Sequence, residues 1–242
     1  MGYGRAMLWG AVAGLLIVAL GVVGVVAVAP RMRSPMTMPG DRAMLVVAGH
    51  SGTDGSQVAQ LVGIARFAGG KLSVGLVDPM TKVTVPGTTC EYLRDTYPFG
   101  GGPGVAKAYA AATGEEPLPV VTVSEDGVED LVDRVGGIAV DVPVAASVFD
   151  GKRLYAFEPG QRKLSGAEMM ALLSYAEYLK TPDEQTKLRL AVASGLMEGV
   201  ASAPAGVRAG GVSSSLDARD LEDLEARLRD ALAGATIAPV VR

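Results

Sequence analysis

Leu131-Val132-Asp133-Arg134-Val135-Gly136-Gly137-Ile138-Ala139-Val140-Asp141-Val142-Pro143 is the stretch on which the reading of the fold turns. Its first half continues a helical pattern that begins at Gly127. Val128, Leu131, Val132 and Val135 fall on one face at helical spacing. Ser124 is placed to cap that helix through its hydroxyl. Gly136-Gly137 stops it, and Ile138–Val142 follows as a strand.

Upstream, Pro119–Val123 reads as a strand, and Met44–Ala48 is a short continuous apolar run of the kind found in buried strands. Val58–Phe67 and Leu72–Val77 are two more strands, joined by Gly69-Gly70, a two-residue hairpin signal. Val83–Val85 is a short extended piece ending in a Pro86-Gly87 turn. Pro98–Pro103 is a Gly-rich loop that opens onto a helix over Val105–Ala112. Downstream, Ser165 and Glu168 form a capping box for a helix running to Leu179, which Pro182 interrupts. Asp183–Val200 is a second long helix, with Leu188, Val192, Leu196 and Val200 at a spacing of four. A Gly/Ala/Pro linker at 201–211, an amphipathic helix over Leu216–Ala233 and an edge strand over Thr236–Val241 complete the chain. A hairpin mixed with alternating strands and helices predicts an α/β domain with a mixed central β-sheet flanked by helices. Val120–Val123 and Ile138–Val142 are both expected inside that sheet.

The amino-terminal end has a different character. Met7–Ala29 carries no charge and is long enough to cross roughly 30 Å of hydrocarbon. Ala27-Val28-Ala29 has the form signal peptidase accepts, but the run exceeds the usual apolar length of a cleaved signal, and Pro30 would follow the cut. The expected organisation is therefore a cytoplasmic stretch at 1–6, a transmembrane signal anchor at 7–29, a linker at 30–40 and an extracytoplasmic domain at 41–242. The protein is expected in the cell membrane as a single-pass protein. Arg5 on one side, with Arg31 and Arg33 on the other, nearly balance, so flanking charge does not fix the orientation.

The 242 residues carry 22 basic and 26 acidic side chains, a net charge of -4, which argues against a nucleic-acid partner. One cysteine, Cys90, and one histidine, His50, cannot supply a Cys/His zinc site, and no metal site is expected. Cys90 has no nearby histidine to activate it, and His50 has no partner that spacing nominates. Gly100 and Gly101, before a helix, are candidates for cradling a phosphate; a plain turn is the other reading. Lys187 and Arg189 on the long helix are candidate phosphate contacts, against a solvated helix face. The alternating charges of Asp220–Asp230 read as surface ion pairs.

The order of these pieces resembles the LytR-CpsA-Psr (LCP) family of cell-envelope phosphotransferases. Leu131–Pro143 is similar to the family's LVDALGGVEVDVP, Pro159–Glu168 to its PGxxxLDGEQ, and Tyr97–Pro103 to its AYxxGGP. The resemblance spans roughly residues 41–200. It implies a domain that binds a polyprenyl-pyrophosphate-linked glycan and transfers the glycan phosphate to peptidoglycan, using several arginines, acids and a divalent ion. Two phosphates in a partly apolar pocket require fixed positive charge.

The chain departs from the family at those charged places. The family's Arg-Ser-Asp-Thr falls on Gly55–Val58, its Pro-Arg-Asp on Asp78-Pro79-Met80, its paired arginines on Ser174 and Ala176, and its Arg-x-x-Arg-Gln on Thr186–Leu190. Arg189 remains, and Asp183 matches an acid near that motif. Another placement lets Leu93-Arg94-Asp95-Thr96 stand for Pro-Arg-Asp. Candidate lipid-phosphate contacts are thus Arg189, Lys187, Asp183, Arg94, Gly100 and Gly101, with no catalytic residue assigned. The expectation is a catalytically degenerate module that binds polyprenyl phosphate or regulates cell-wall assembly. An active phosphotransferase, which would need Mg²⁺, is the alternative; a scaffold without lipid binding is another. A membrane lipid and a cell-wall polymer are the expected partners.

Overall fold

The computed structural model describes residues 41–51, 53–201, 210–231 and 236–240. The expected anchor at 7–29, the stretch before it, the spacer at 30–40 and most of the 201–211 linker lie outside the described residues. Among the described residues no helix is long and apolar enough to cross a membrane.

Strands β1 (Arg42–His50), β2 (Gln57–Ala68) and β3 (Lys71–Val77) form an antiparallel meander. Gly69 and Gly70 turn its second hairpin at φ of 56° and 72°, a region open to glycine without steric cost. β4 (Val120–Ser124) lies parallel to β1, and β9 (Val212–Ser214) pairs antiparallel with β4. β10 (Thr236–Pro239) pairs in parallel with β3 at the other edge. The result is a six-stranded mixed sheet in the order β10-β3-β2-β1-β4-β9.

The sheet is covered on both faces. Met44 and Val46 of β1 pack with Val105, Ala106 and Tyr109 of α1 (Gly101–Thr113). Ala43, Leu45 and Val47 point the other way, into a core built by α2 (Glu125–Arg134), α3 (Gly166–Tyr175), α4 (Pro182–Ala201) and α5 (Ala218–Ala231). Burial on both sides is why the β1 sequence is apolar without alternation.

The sequence stretch that decided the fold is half relocated. Ser124 caps α2, accepting from the Gly127 N–H at 3.2 Å, and Ile138–Val142 is β5. But β5 pairs with β8 (Gly160–Leu164) in a separate two-stranded sheet instead of joining the central one. Gly136 and Gly137, at φ of 77° and 92°, swing the chain away, and the free edge of β4 is taken by β9. β5 packs instead on α4. A Cβ on Gly195 would lie 2.7 Å from the Ala139 carbonyl, and one on Gly199 2.4 Å from Ile138 Cγ1, so only glycine permits this approach. A second ribbon pairs β6 (Ala146–Phe149) with β7 (Leu154–Phe157).

Two local expectations are refined and a third holds. The expected loop at Pro98–Pro103 is divided between the end of a 3₁₀ turn over Leu93–Phe99 and the start of α1, which already begins at Gly101. Pro182 opens α4 instead of merely interrupting a helix, which suits a residue with no N–H to satisfy. The capping box at Ser165 forms, with the Ser165 N–H donating to Glu168 Oε2 at 2.9 Å.

Candidate anion-binding site

Five segments converge beyond the carboxyl end of β1. Ser51 follows that strand, in a loop closed by its N–H on the Ser56 carbonyl at 2.7 Å. Asp78 follows β3, and Arg94 lies near the start of the 3₁₀ turn, its N–H donating to the Pro79 carbonyl at 3.0 Å. Glu177 sits in a second 3₁₀ turn, Ala176–Tyr178, just after α3. Arg189 comes from the first half of α4.

Arg94 is held on every side of its fork. Nη1 stands 2.8 Å from Glu177 Oε1, Nη2 donates to Ser51 Oγ at 3.0 Å, and Nε donates to Asp95 Oδ1 at 3.1 Å. Ser51 Oγ in turn donates to Glu177 Oε2 at 2.8 Å and shares a hydrogen bond with Thr53 Oγ1. The side chains of Arg94 and Glu177 are only 12% and 6% exposed, so the pair is largely desolvated.

Arg189 is held loosely by comparison. Its side chain is 6% exposed, yet Nη1 reaches no closer than 3.7 Å to Asp78 Oδ1 and 3.5 Å to Gln185 Oε1. Its Nε has no hydrogen-bond partner among the described residues. Burial pulls the guanidinium down from its ordinary value to about 10; Asp78 and Glu177 pull it up and Arg94 pushes it down. It therefore stays charged at neutral pH. A cavity of about 70 Å³, lined in part by Leu61, Leu76, Thr186 and Val240, opens beside it. That is room for about two waters.

A buried cation with an unmatched donor beside a cavity is an arrangement suited to an anion. The same residues do not fit a divalent ion. Both oxygens of Glu177 are engaged by Arg94 and Ser51, Asp95 pairs with Arg94, and Asp78 faces Arg189. No group of three potential metal ligands converges among the described residues.

The sequence candidates divide. Arg94 lies close enough to Arg189 to push the Arg189 guanidinium down. Lys187 and Asp183 pair with each other at 2.7 Å on an exposed part of α4, with side chains 62% and 72% exposed. Gly100 and Gly101 stand at the start of α1, where the Gly100 N–H turns back to the Tyr97 carbonyl and Gly101 has φ of 57°. The replaced positions have structural roles. Ser174 donates to the Ala171 carbonyl at 2.8 Å inside the core, and Ala176 is fully buried.

Sequence reasoning missed Glu177 and Ser51, which lie 126 positions apart. It also missed the partner of His50: its Nδ1 lies 2.7 Å from Glu125 Oε2. Gln60, whose amide reaches the His50 carbonyl, sits in a bulge, since Val47 faces Leu61 while Ala48 faces Ala59. No local pattern marks that extra residue.

No sequence-family model matches the chain, and no curated protein matches it by sequence. Solved structures do. The chain superposes on a LytR-Csp2A-Psr enzyme from Actinomyces oris with a TM-score of 0.64 at 17% identity, covering 84% of this chain and 81% of that one. This is the LytR-CpsA-Psr fold. TagV of B. subtilis aligns with a TM-score of 0.60 at 17% identity over 84% of this chain and 86% of its own. TagT bound to LI-WTA aligns at 0.59 and 16% identity, over 86% and 82%. At such identities the likeness is one of LCP architecture: the six-stranded sheet with helices on both faces.

Proposed function

We propose that the chain is a membrane-anchored LCP-like protein of the cell envelope whose domain holds a polyprenyl-phosphate-linked ligand with little or no phosphotransferase turnover. The observation that carries this is Arg189, a buried cation with an unmatched Nε beside a cavity, next to an Arg94 already neutralised by Glu177. Phosphoryl transfer depends on positioning and on neutralising developing charge. Losing one positioned donor typically costs about 10²–10³ in rate. Two arginines facing three carboxylates leave no surplus positive charge for a pyrophosphate in transit. That TagT shares this fold and was solved bound to LI-WTA supports a ligand of that general kind. Holding such a ligand requires α4 and the sheet to part further than the present cavity.

The test is an assay of the purified full chain with a lipid-pyrophosphate glycan, Mg²⁺ and a peptidoglycan acceptor. Binding without transfer, weakened in Arg189→Ala, is the expected result. Robust transfer that disappears in Arg189→Ala would make the chain a working transferase. The convergence of Arg94 on Arg189 is the feature that favours that second reading. The tether is part of the proposal: residues 7–29 keep the protein in the membrane after export, the domain of 41–242 facing outward. Amino-terminal sequencing of membrane-extracted protein checks it, and a mature chain beginning at Pro30 would overturn it.

A further inference from the structure

The β6–β7 ribbon turns an uncharged face to solvent. Phe149 and Leu154 are cross-strand partners, and they are 65% and 63% exposed. Ser147 and Ala156, the next outward pair, are also exposed and uncharged. The opposite face, Ala146, Val148, Tyr155 and Phe157, is buried in the main core. Single exposed apolar residues are ordinary, but two large ones side by side on a fixed ribbon are a directed feature.

Charge around the ribbon is predominantly basic. Asp150 is engaged within the turn, accepting from the N–H groups of Lys152 and Arg153 at 2.7 Å each and from the Tyr155 hydroxyl at 3.1 Å. Lys152 and Arg153 are left exposed at the tip, with the Arg153 guanidinium 5.1 Å from the Tyr155 ring centre. β8 adds exposed Arg162 and Lys163. Residues 150–163 thus carry four basic side chains against two acidic ones, in a chain whose net charge is -4.

We propose that the Phe149–Leu154 face and its Lys152/Arg153 tip form a second, shallow contact with the bilayer, docking on anionic lipid headgroups. Apolar side chains backed by lysine and arginine are the combination that settles at a headgroup boundary. Strands of four residues each are too small for a stable protein partner, which needs about 800 Å² per side. The proposal rests on the membrane tether. A linker over 30–40 spans at most about 40 Å. A domain near 200 residues has a radius of gyration of about 16 Å. That reach leaves the domain free to present this ribbon to the membrane.

The experiment places an environment-sensitive nitrobenzoxadiazole probe at Ala156→Cys in a Cys90→Ser background, in full-length protein reconstituted into vesicles. Flotation of the vesicles tests the tether separately. Phosphatidylglycerol vesicles should give blue-shifted emission, quenched by lipid-borne nitroxide. The shift should vanish in Phe149→Ser/Leu154→Ser, and the docked population should fall about tenfold in Lys152→Glu/Arg153→Glu. Water-like emission in floated vesicles overturns the proposal. So does a shift that is equal in phosphatidylcholine, or one that grows with protein density, which would assign the face to another protein. A chain that does not float removes the tether alone; the probe then reports on vesicles added to the soluble chain, and water-like emission there overturns the docking.

Discussion

Glu177 sets one carboxylate oxygen 2.8 Å from Arg94 Nη1 and the other 2.8 Å from Ser51 Oγ. A carboxylate in that position presents to the arginine what a phosphate would present, so the protein carries its own competitor. Glu177→Gln keeps the shape and removes the charge. Its affinity for inorganic pyrophosphate should rise about tenfold, read by calorimetry. Glu177→Ala leaves Arg94 buried beside Asp95 alone and should cost about 3–5 kcal/mol in urea unfolding.

Arg189 gives a prediction whose sign depends on pH. Its folded pKa is lowered from the ordinary arginine value to about 10, so below pH 10 the charge is present in both folded and unfolded chains and folding bears the full cost of burying it. As pH rises above about 10, the unfolded chain holds the proton more tightly and that cost declines. Arg189→Met should therefore be no less stable at neutral pH, and up to about 1–3 kcal/mol more stable. The advantage should shrink above pH 10. The same variant should lose pyrophosphate binding. A marked loss of stability at pH 7 would mean that Arg189 is better paired than its geometry indicates.

Gly166 fixes the crossing of α2 and α3. A Cβ there would sit 2.3 Å from Glu129 Cα, and its N–H donates to Asp133 Oδ1 at 2.8 Å. Gly166→Ala should destabilise by about 3 kcal/mol, because backbone and not a flexible side chain must move. Ser165→Ala, one residue earlier, loses only a cap and should cost about 1 kcal/mol. Urea unfolding of the two variants separates packing from capping.

Glu129 is pushed up by burial first, then by Glu125, Asp126, Asp133 and Asp150. The folded chain therefore holds this proton more tightly than the unfolded one, and stability falls as pH rises from about 4.5 through the raised value. Glu129→Gln should raise Tm at pH 7, and the gain should fade on acidification. A gain that stays constant with pH would point to packing instead of charge.

What the sequence made legible was what local chemistry determines. The Ser165–Glu168 box, the Gly69-Gly70 hairpin and the buried stripe of Leu188, Val192 and Leu196 each declare themselves within a few residues. β6 to β9, of three to five residues each, are too short to show a period, and β9 is held by β4, some ninety residues away in sequence. The ribbon position of β5 depends on α4, some fifty residues downstream, so Ile138–Val142 read correctly as a strand and incorrectly as part of the central sheet. The site followed the same division. Arg189 stood out as a cation on the long helix and as the arginine left at the family's Arg-x-x-Arg-Gln position, whereas Ser51 and Glu177 meet only once α3 and β1 are assembled.

The bare backbone of Gly195 and Gly199 against β5 makes α4 a beam clamped at its far end. Arg189 projects from the other part of that beam, about 9 Å from Gly195 along the axis. Any side chain at Gly195 would act as a shim, lifting the helix and tilting the guanidinium relative to Glu177. The distance between the site's opposing charges is thus adjustable from a position that carries no charge and lies outside the cavity.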